Sequence, residues 1–293
     1  MRRPLVWIID AHYQIFRAYY SLPDLRAPDG TPVGALRGYA SVLLKFLARQ
    51  QPTHLAAAFD FALTSFRNEI YPDYKFGRTE APEDLEPQFE LCEAVTRALG
   101  IPSYTLEGFE ADDLIATLVP ALVDQGADVR IVSADKDLGA LVSEHVQLFD
   151  LKSERASGPD EIRERLGVPP ELVPDYLTLV GDSADNIPGV RGIGPKTAAR
   201  LLEAYGTLDR IPRDAEELGR LGLRGAARVA ERLASGGEEI ELSRRLVRMR
   251  SDLPVETGLE GLRYWGADPE ALEELLNRLG AEKLLERVPR FRE

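Results

Sequence analysis

The stretch "IPSYTLEGFEADDLIATLVPALVDQGADVRIVSAD" (101–135) contains a short apolar run, a helical pattern and a second apolar run. The two apolar runs, 101–106 and 127–135, predict strands, and the pattern between them, 111–125, predicts a helix. Strands that alternate with helices are typical of a mostly parallel sheet with helices on both faces. The stretch therefore predicts an α/β fold.

The sequence on either side of this stretch continues the alternation as far as about residue 158. Further strands and helices are predicted at 4–10, 33–50, 54–60, 85–99 and 146–150. Beyond residue 158 the strand signals stop, and helical patterns separated by Pro and Gly breaks continue to the end. We therefore expect an α/β core at 1–158 and a helical region at 159–293.

The composition is that of an ordinary globular protein, with 44% hydrophobic and 29% charged residues among 293. A single cysteine, Cys92, and three histidines exclude a disulfide framework and a cysteine- or histidine-rich zinc site. No apolar run reaches the roughly 18 residues of a membrane span, and the first residues run directly into a strand. We expect a cytoplasmic, monomeric protein without a membrane segment.

The net charge of −13 argues against a polyanionic partner unless many acids gather at one place. Three predicted strands end in aspartate, and the carboxyl ends of parallel strands share one edge of the sheet. The helix at 111–125 also begins at that edge with a cluster of acids, and the pair in "GDSADN" is spaced to share a helical face. The acids expected to converge are Asp10, Asp60, Glu110, Asp112, Asp113, Asp135, Asp137, Asp182 and Asp185.

Nine carboxylates repel one another, and a helix N-terminus offsets only about 0.3–1 kcal/mol for each. Divalent cations can hold such a set together, and ligands that are all oxygen favour Mg²⁺ or Mn²⁺. The excess of acids over the needs of one ion predicts two or more ions. Taken singly, each acid is more often a turn or capping residue, so the prediction depends on their convergence.

Two further segments carry unusual patterns. The long insertion at 64–84 mixes basic with aromatic residues, and insertions of this length are usually functional or mobile. The segment "NIPGVRGIGPKTAARLLEAYG" (186–206) fails both the P-loop and the dinucleotide-binding patterns, because Pro195 interrupts the first and Thr197 replaces the third glycine of the second. It predicts a hairpin between two helices, whose free N–H groups and Lys196 can bind a phosphate.

Six segments together resemble a known family: "WIIDAHYQIFRAYY", "AAFDFALTSFRNE", "YKFGR", "GFEADDLIATL", "SADKDLGALV" and "LVGDSADNIPGVRGIGPKTAARLLE". In this order they resemble the 5′-nuclease domain of bacterial DNA polymerase I and, more broadly, the flap-endonuclease family. The resemblance covers nearly the whole chain. It implies a PIN-like nuclease core followed by a helical region that contains a helix-hairpin-helix DNA-binding element.

The resemblance also implies roles for individual residues. It matches all nine acids to metal ligands and the insertion to a helical arch, in which Lys75 and Arg78 stabilise the scissile phosphate. It gives the hairpin a duplex-binding role, with the carbonyl groups of Gly189, Val190 and Ile193 as candidate ligands of K⁺. The implied DNA contacts are Arg17, Arg67, Tyr74, Arg191, Gly192, Gly194, Lys196 and Thr197.

The function implied by the resemblance is the metal-dependent hydrolysis of DNA at 5′ ends, 5′ flaps and single-strand/duplex junctions during replication and repair. The expected partners are such DNA and a polymerase portion, fused or separate, and the expected location is the bacterial nucleoid. Two alternatives stay open on the sequence alone. One is a structure-specific DNA-binding module without catalysis, and the other is a PIN-type ribonuclease or phosphatase with the same acidic edge.

Overall fold

Six strands form one sheet in the structure, a computed structural model that describes residues 3–22, 24–76 and 82–293. They are β1 Leu5–Asp10, β2 His54–Ala58, β3 Ser103–Tyr104, β4 Asp128–Val132, β5 Val146–Asp150 and β6 Arg155–Ser157. The spatial order is β3-β2-β1-β4-β5-β6, and only β6 runs antiparallel to its neighbour. The predicted α/β class with a mostly parallel sheet is confirmed.

The helices divide into those that alternate with strands and those that follow the sheet. The first group comprises α1 Ala11–Tyr19, α2 Gly34–Gln50, α3 Phe66–Ile70, α4 Glu86–Ala98 and α5 Ala111–Asp124. The second comprises α6 Pro159–Leu166, α7 Val173–Val180, α8 Pro195–Tyr205, α9 Ala215–Arg220, α10 Ala226–Ser235, α11 Gly237–Val247 and α12 Pro269–Arg278. The helical character expected after residue 158 is thus observed.

The side chains of β1 alternate between two hydrophobic cores. Val6 and Ile8 pack in a core with α5 and most of the C-terminal helices, whereas Trp7 and Ile9 pack in a core with α1, α2 and α4. A strand that is buried on both faces needs apolar residues at every position. This double burial explains why the strands appear in the sequence as unbroken apolar runs.

Three elements are absent from the sequence-based prediction. α1 follows β1 without a loop, because Asp10 both ends the strand and caps the helix through its bond with the Tyr13 N–H group. α3 has five residues, and β6 has three residues at the sheet edge. Elements this short carry too little periodicity to be distinguished from loops.

The chain order reverses between β1 and β4. From β1 the chain builds outward through β2 and β3, then crosses to the opposite side of β1 to form β4. In open parallel sheets, ligands bind in the crevice at the carboxyl ends of the strands where the order reverses. A candidate site is therefore expected above Asp10 and the end of β4.

The insertion at 64–84 is described only in part. Its described residues form α3 and a turn at 72–75, and residues 77–81 lie outside the described part of the chain. The predicted helical arch falls partly on those residues, as does Arg78. Among the described residues, no helix combines the length and apolar character needed to cross a membrane.

Candidate functional site

Asp10 lies at the point where the strand order reverses. Its side chain is 4% exposed and accepts a hydrogen bond of 2.8 Å from Ser133 Oγ, just beyond β4. Burial raises the pKa of Asp10 to about 7, and the nearby charges of Asp135 and Asp60 add to the increase. A carboxylate held here without a positive partner is destabilised as an anion.

Asp60 connects the end of β2 to the start of α5. Its Oδ1 accepts a 2.8 Å bond from the Ala111 N–H group, and its own N–H group donates to His12 Nδ1 at 3.1 Å. His12 is buried, and this burial lowers the pKa of its imidazole. A neutral imidazole whose Nδ1 accepts a bond therefore fixes the backbone beside Asp60.

The three acids at the start of α5 have different surroundings. Glu110 accepts bonds from Lys75 Nζ at 2.8 Å, Ser65 Oγ at 3.0 Å and Tyr74 Oη at 3.2 Å. Although burial alone raises the pKa of Glu110, the charges of Lys75 and Arg67 outweigh it and leave the pKa below its usual value.

Asp112 receives no hydrogen bond from the described residues, and its burial, with Asp135 and Asp10 nearby, raises its pKa well above the usual value. Asp113 instead is fully buried and accepts two bonds of 2.8 Å from the Arg67 guanidinium. It also accepts a 2.8 Å bond from the Arg250 N–H group. The Arg67 guanidinium therefore compensates the charge of Asp113 in the protein interior. Asp113 does not line the cavity formed by the other acids.

Asp135 and Asp137 follow β4 at the same edge of the sheet. Asp135 Oδ1 accepts a 2.9 Å bond from the Asp137 N–H group. Asp137 Oδ1 is buried and has no hydrogen-bond partner among the described residues. Burial, followed by the charge of Asp135, raises the pKa of Asp137 to about 7. An unpaired buried oxygen of this kind is costly unless a cation or water reaches it.

Asp182 and Asp185 lie in a tight turn, which corrects the expectation that they share a helical face. α7 ends at Val180 because Gly181 has a φ of 74°, which leaves the helical path. A side chain does not fit at this position, since an added Cβ would lie 2.5 Å from the Ile187 carbonyl oxygen. Asp182 pairs with Lys136 Nζ at 2.6 Å. This pairing leaves the pKa of Asp182 below its usual value although burial opposes the decrease.

One cavity of about 840 Å³ collects most of these acids. Its walls also include Lys75, Arg17 and the rings of Tyr13, Phe16 and Tyr20. Seven of the nine predicted metal ligands line it: Asp10, Asp60, Glu110, Asp112, Asp135, Asp137 and Asp185. Acids from widely separated parts of the sequence therefore meet at the strand-order reversal.

The donor chemistry of this cavity suits hard divalent cations. All the candidate ligands would donate through oxygen, the pKa of Asp10, Asp112 and Asp137 is raised, and one Asp137 oxygen has no partner among the described residues. Within the described residues, no three acid, histidine or cysteine side chains are already arranged as a closed ligand set. Binding of such an ion would therefore require the carboxylates to move closer together.

Lys75 is held at the cavity by its backbone as well as its side chain. Its φ of 60° is unusual for a residue other than glycine, and its N–H group donates a 2.9 Å bond to the Asp185 carbonyl oxygen. Nearby, Tyr74 Oη bonds Glu110 and Asp185 at 3.2 and 3.3 Å. The turn at 72–75 therefore ties Lys75 to two cavity acids.

Arg67 and Tyr74 were predicted as DNA contacts, but both are buried, with exposed fractions of 3% and 5%. A side chain in such a position contacts no nucleic acid unless it leaves the interior. Arg17 differs from both, because it lines the cavity while pairing with Asp150 at 3.1 Å.

The predicted hairpin joins α7 to α8. Pro195 occupies the first turn of α8, and the N–H groups of Thr197 and Ala198 both donate to the Gly194 carbonyl oxygen at 3.0 Å. Val190 and Ile193 are buried and anchor the loop, and the Ile193 N–H group donates to the Val190 carbonyl oxygen at 2.9 Å. The predicted contacts Arg191, Gly192, Gly194 and Lys196 are exposed, and Thr197 is half-buried.

Three residues that hold the site are absent from the sequence-based prediction: His12, Ser65 and Ser133. Ser133 Oγ donates to Asp10 and accepts a 3.1 Å bond from the Asp135 N–H group, so it joins two predicted ligands. Ser65 caps α3 and donates to Glu110. The only signal for these residues is their position within a few residues of an aspartate that ends a strand.

Two protein-family models match consecutive parts of the chain. The model described as "5'-3' exonuclease, N-terminal resolvase-like domain" matches residues 5–167, and "5'-3' exonuclease, C-terminal SAM fold" matches residues 168–270. Together they account for most of the sequence.

Two of the most similar curated proteins differ in length. The 5'-3' exonuclease of Aquifex aeolicus is 34% identical, with coverage of 98% of this chain and 96% of that protein. DNA polymerase I of Rhizobium leguminosarum is 43% identical over 88% of this chain, but the match covers 26% of the polymerase. The chain thus spans about a quarter of that relative.

Solved structures share the fold. A zinc-bound T5 5'-exonuclease has a TM-score of 0.64 at 22% identity, with 98% of this chain and all of that chain covered. The catalytic core of Rad2 in complex with DNA has a TM-score of 0.65 at 15% identity, with coverage of 98% of this chain and 93% of that chain. At these identities the similarity establishes the fold alone.

Proposed function

The chain belongs to the 5'-3' exonuclease family, and from this membership we propose that it hydrolyses DNA phosphodiester bonds at 5′ ends and 5′ flaps with the help of divalent metal ions. The single observation that carries the proposal is the cavity at the strand-order reversal, which seven predicted ligands line together with Lys75. A binding module without catalysis would have no need for so many crowded, mutually repelling carboxylates.

The seven acids that line the cavity are the proposed ligands of two or more Mg²⁺ or Mn²⁺ ions. When bound, such ions activate water as a nucleophile and stabilise the charge of the leaving oxygen. We assign Asp113 and Asp182 a different role from the one predicted. Asp113 holds Arg67 and Asp182 holds Lys136, so each orients a neighbour of the site.

The chain's own cations position the substrate. Lys75 Nζ lies 2.8 Å from Glu110 Oε1 at the cavity wall, where an ammonium group can also attract a phosphate oxygen. Arg17 lines the same cavity and offers a second contact. We propose the same phosphate-binding role for Arg78, which lies outside the described residues.

The hairpin between α7 and α8 is the proposed contact to duplex DNA. Its exposed Arg191 and Lys196 suit phosphate oxygens, independently of base sequence. The carbonyl groups of Gly189, Val190 and Ile193 remain the proposed ligands of K⁺. The polymerase relatives suggest that a polymerase, fused or separate, acts on the same DNA.

The test is digestion of a labelled 5′-flap DNA with and without Mg²⁺ or Mn²⁺, beside its RNA analogue and a simple phosphomonoester. We expect cleavage of the flap DNA only when the ion is present. Asp135→Asn should reduce the rate by roughly a hundredfold or more, because it removes a ligand charge. Calorimetric titration with Mn²⁺ should show weaker ion binding in the same variant.

The matched control is Asp124→Asn. Asp124 is exposed at the far end of α5, so the substitution makes the same chemical change outside the cavity. It should leave cleavage and ion binding unchanged. Flap cleavage without a divalent ion, or full activity in the Asp135→Asn variant, would overturn the assignment. Preferred cleavage of the RNA or the phosphomonoester would favour the ribonuclease or phosphatase alternative.

A further inference from the structure

A second cavity, of about 460 Å³, lies between α1, α2 and the turn that joins β5 to β6. Its apolar wall includes Leu22, Phe46 and Phe149. Cationic side chains stand around it: Arg17, Lys45, Arg49 and Lys152. An apolar wall with a few charged groups, in a cavity of this size, is the usual construction of a small-molecule site.

The side chains around this cavity carry a net positive charge, whereas the whole chain carries a net negative charge. Among the residues that the structure describes, two carboxylates pair with these four cations: Glu154 pairs with both Lys45 and Arg49, and Asp150 pairs with Arg17. This local excess of positive charge contrasts with the net charge of −13 for the whole chain. It favours an anionic ligand.

The turn at 151–154 places charged side chains next to α2. Asp150 accepts bonds of 3.0 and 3.1 Å from the N–H groups of Lys152 and Ser153. Glu154 has a φ of 54°, a conformation that residues other than glycine seldom adopt. Lys45 and Arg49 lie one turn apart on α2 and both reach Glu154, 3.5 Å away in the case of Lys45.

We propose that this second cavity binds a nucleotide, with the phosphate on Lys45, Lys152 and Arg49 and the base against the apolar wall, where Leu22 is exposed. A phosphate matches the excess positive charge, and a planar aromatic base matches the apolar wall. An inorganic phosphate alone would leave that wall uncovered. A purely apolar ligand would leave the cations without a partner.

The nucleotide has two sources with the same chemistry. It can be a free mononucleotide, or it can be a nucleotide of the DNA held at the carboxylate cavity. The second source rests on the proposed function and is geometrically available because Arg17 lines both cavities. Binding of a free mononucleotide requires no cleavage, so it is tested independently of the proposed function.

The experiment is calorimetric titration of the whole chain with dAMP in the presence of EDTA, so that no divalent ion bridges dAMP to the carboxylate cavity. Two variants remove the site in different ways: Lys45→Ala with Lys152→Ala removes charge, and Val42→Phe fills the cavity from α2. Each should weaken dAMP binding by roughly tenfold or more. Lys283→Ala, a charge removal at an exposed residue outside the cavity, should leave it unchanged.

A second arm measures the affinity for flap DNA with and without saturating dAMP. If the cavity takes a nucleotide of the DNA, dAMP and both variants should weaken DNA binding; if it takes a free mononucleotide, the DNA affinity should stay constant. The proposal is overturned if dAMP does not bind at millimolar concentration, or if it binds both variants as well as the parent. Thermal unfolding of each variant verifies that the loss is not a loss of fold.

Discussion

At the scale of single residues, the buried Arg67 joins the candidate site to the C-terminal helices. Its guanidinium donates two 2.8 Å bonds to Asp113, one of 3.2 Å to Glu110 and one of 2.8 Å to the Leu246 carbonyl oxygen. These bonds join the acids of α5 to the end of α11. A residue that appears in the sequence as a DNA contact thus connects the two halves of the molecule.

Replacement of Arg67 by alanine should reduce the free energy of unfolding by about 3–5 kcal/mol, because it leaves buried carboxylates without a partner. Lysine at this position should recover only part of the loss, since an ammonium group cannot make the two parallel bonds to Asp113. Chemical denaturation monitored by circular dichroism provides the measurement.

The matched control for this prediction is Arg220→Ala on α9, where the arginine and its partner Glu216 are both exposed. That change should alter stability by less than about 1 kcal/mol. If both substitutions had equal small effects, the buried network would not support the fold as described.

The sequence predicts the acids better than it predicts their partners. The convergence of Asp10, Asp60 and Asp135 follows from their positions at the ends of predicted strands, which a parallel sheet brings to one edge. The pairing of Asp113 with Arg67, 46 positions away, depends on which side of α5 each acid faces. That distinction between Asp112 and Asp113 is set by tertiary packing, which a local pattern does not encode.

At the scale of secondary-structure elements, the hairpin between α7 and α8 depends on one close approach of two backbones. Gly189 has a φ of 61°, and an added Cβ would lie 2.4 Å from the Gly181 nitrogen. Gly192 has a φ of 89°, but an added Cβ would meet no atom within 4 Å. A side chain at Gly189 would therefore cause both a steric clash and backbone strain, whereas a side chain at Gly192 would cause backbone strain alone.

We expect Gly189→Ala to destabilise the protein by more than about 3 kcal/mol, from strain and overpacking combined. Gly192→Ala should cost only about 1–2 kcal/mol, from strain alone. Thermal unfolding of the two variants compares them directly. Equal losses would show that the approach of Gly189 to Gly181 is not a constraint.

The elements differ in how well they can be predicted from the sequence. Strands buried on both faces, such as β1, are visible as apolar runs because packing demands an apolar residue at each position. The turn around Asp182 is not visible, since the spacing of Asp182 and Asp185 suits a helix equally well. Its shape comes from Gly181 and Asn186, whose φ angles of 74° and 55° break the helical path.

At the scale of the whole molecule, the distribution of charge matters more than its sum. A net charge of −13 repels DNA, so the proposed DNA binding depends on local cations such as Lys196, the proposed contact on the hairpin. DNA affinity should therefore fall with rising salt, with a log–log slope of about −0.9 for each phosphate contact.

Lys196→Ala should reduce the magnitude of this slope by about 1, which fluorescence anisotropy across a range of salt concentrations can measure. Lys283→Ala provides the control, because it removes an exposed charge near the C-terminus rather than on the hairpin. A slope that does not change in Lys196→Ala would remove this residue from the DNA contact.

The packing of the C-terminal end is the part of the architecture least accessible from the sequence. α12 packs against α4 in the core that contains Trp7, and the Tyr264 N–H group donates a 2.9 Å bond to the Thr53 carbonyl oxygen. The amphipathic pattern of α12 predicts that one face is buried, but not against which helix. The helical region therefore covers both faces of the sheet, an arrangement fixed only by long-range contacts.

The crowded acids make the stability of the whole metal-free molecule depend on pH. The folded-state pKa of Asp10 and Asp137 is about 7, and that of Asp112 is also raised, whereas the same groups in an unfolded chain titrate near 3.8. Between about pH 5 and about pH 8 the folded state therefore binds more protons than the unfolded state, and the free energy of unfolding decreases as the pH rises. His12 and His54, whose pKa is lowered, act in the opposite direction below about pH 6.5, but they are two groups against three.

We therefore expect the midpoint of thermal unfolding in EDTA to fall by several degrees between about pH 5.5 and about pH 8. Mn²⁺ should reverse most of this loss at the higher pH, because cation binding replaces the repulsion among the carboxylates, and should have less effect at the lower pH. Asp137→Asn removes one carboxyl group with a raised pKa and should weaken the pH dependence of the unfolding midpoint, whereas Asp124→Asn should not. A metal-free midpoint that rises with pH over this range would mean that the pKa values of the cavity acids are not raised by burial and mutual repulsion.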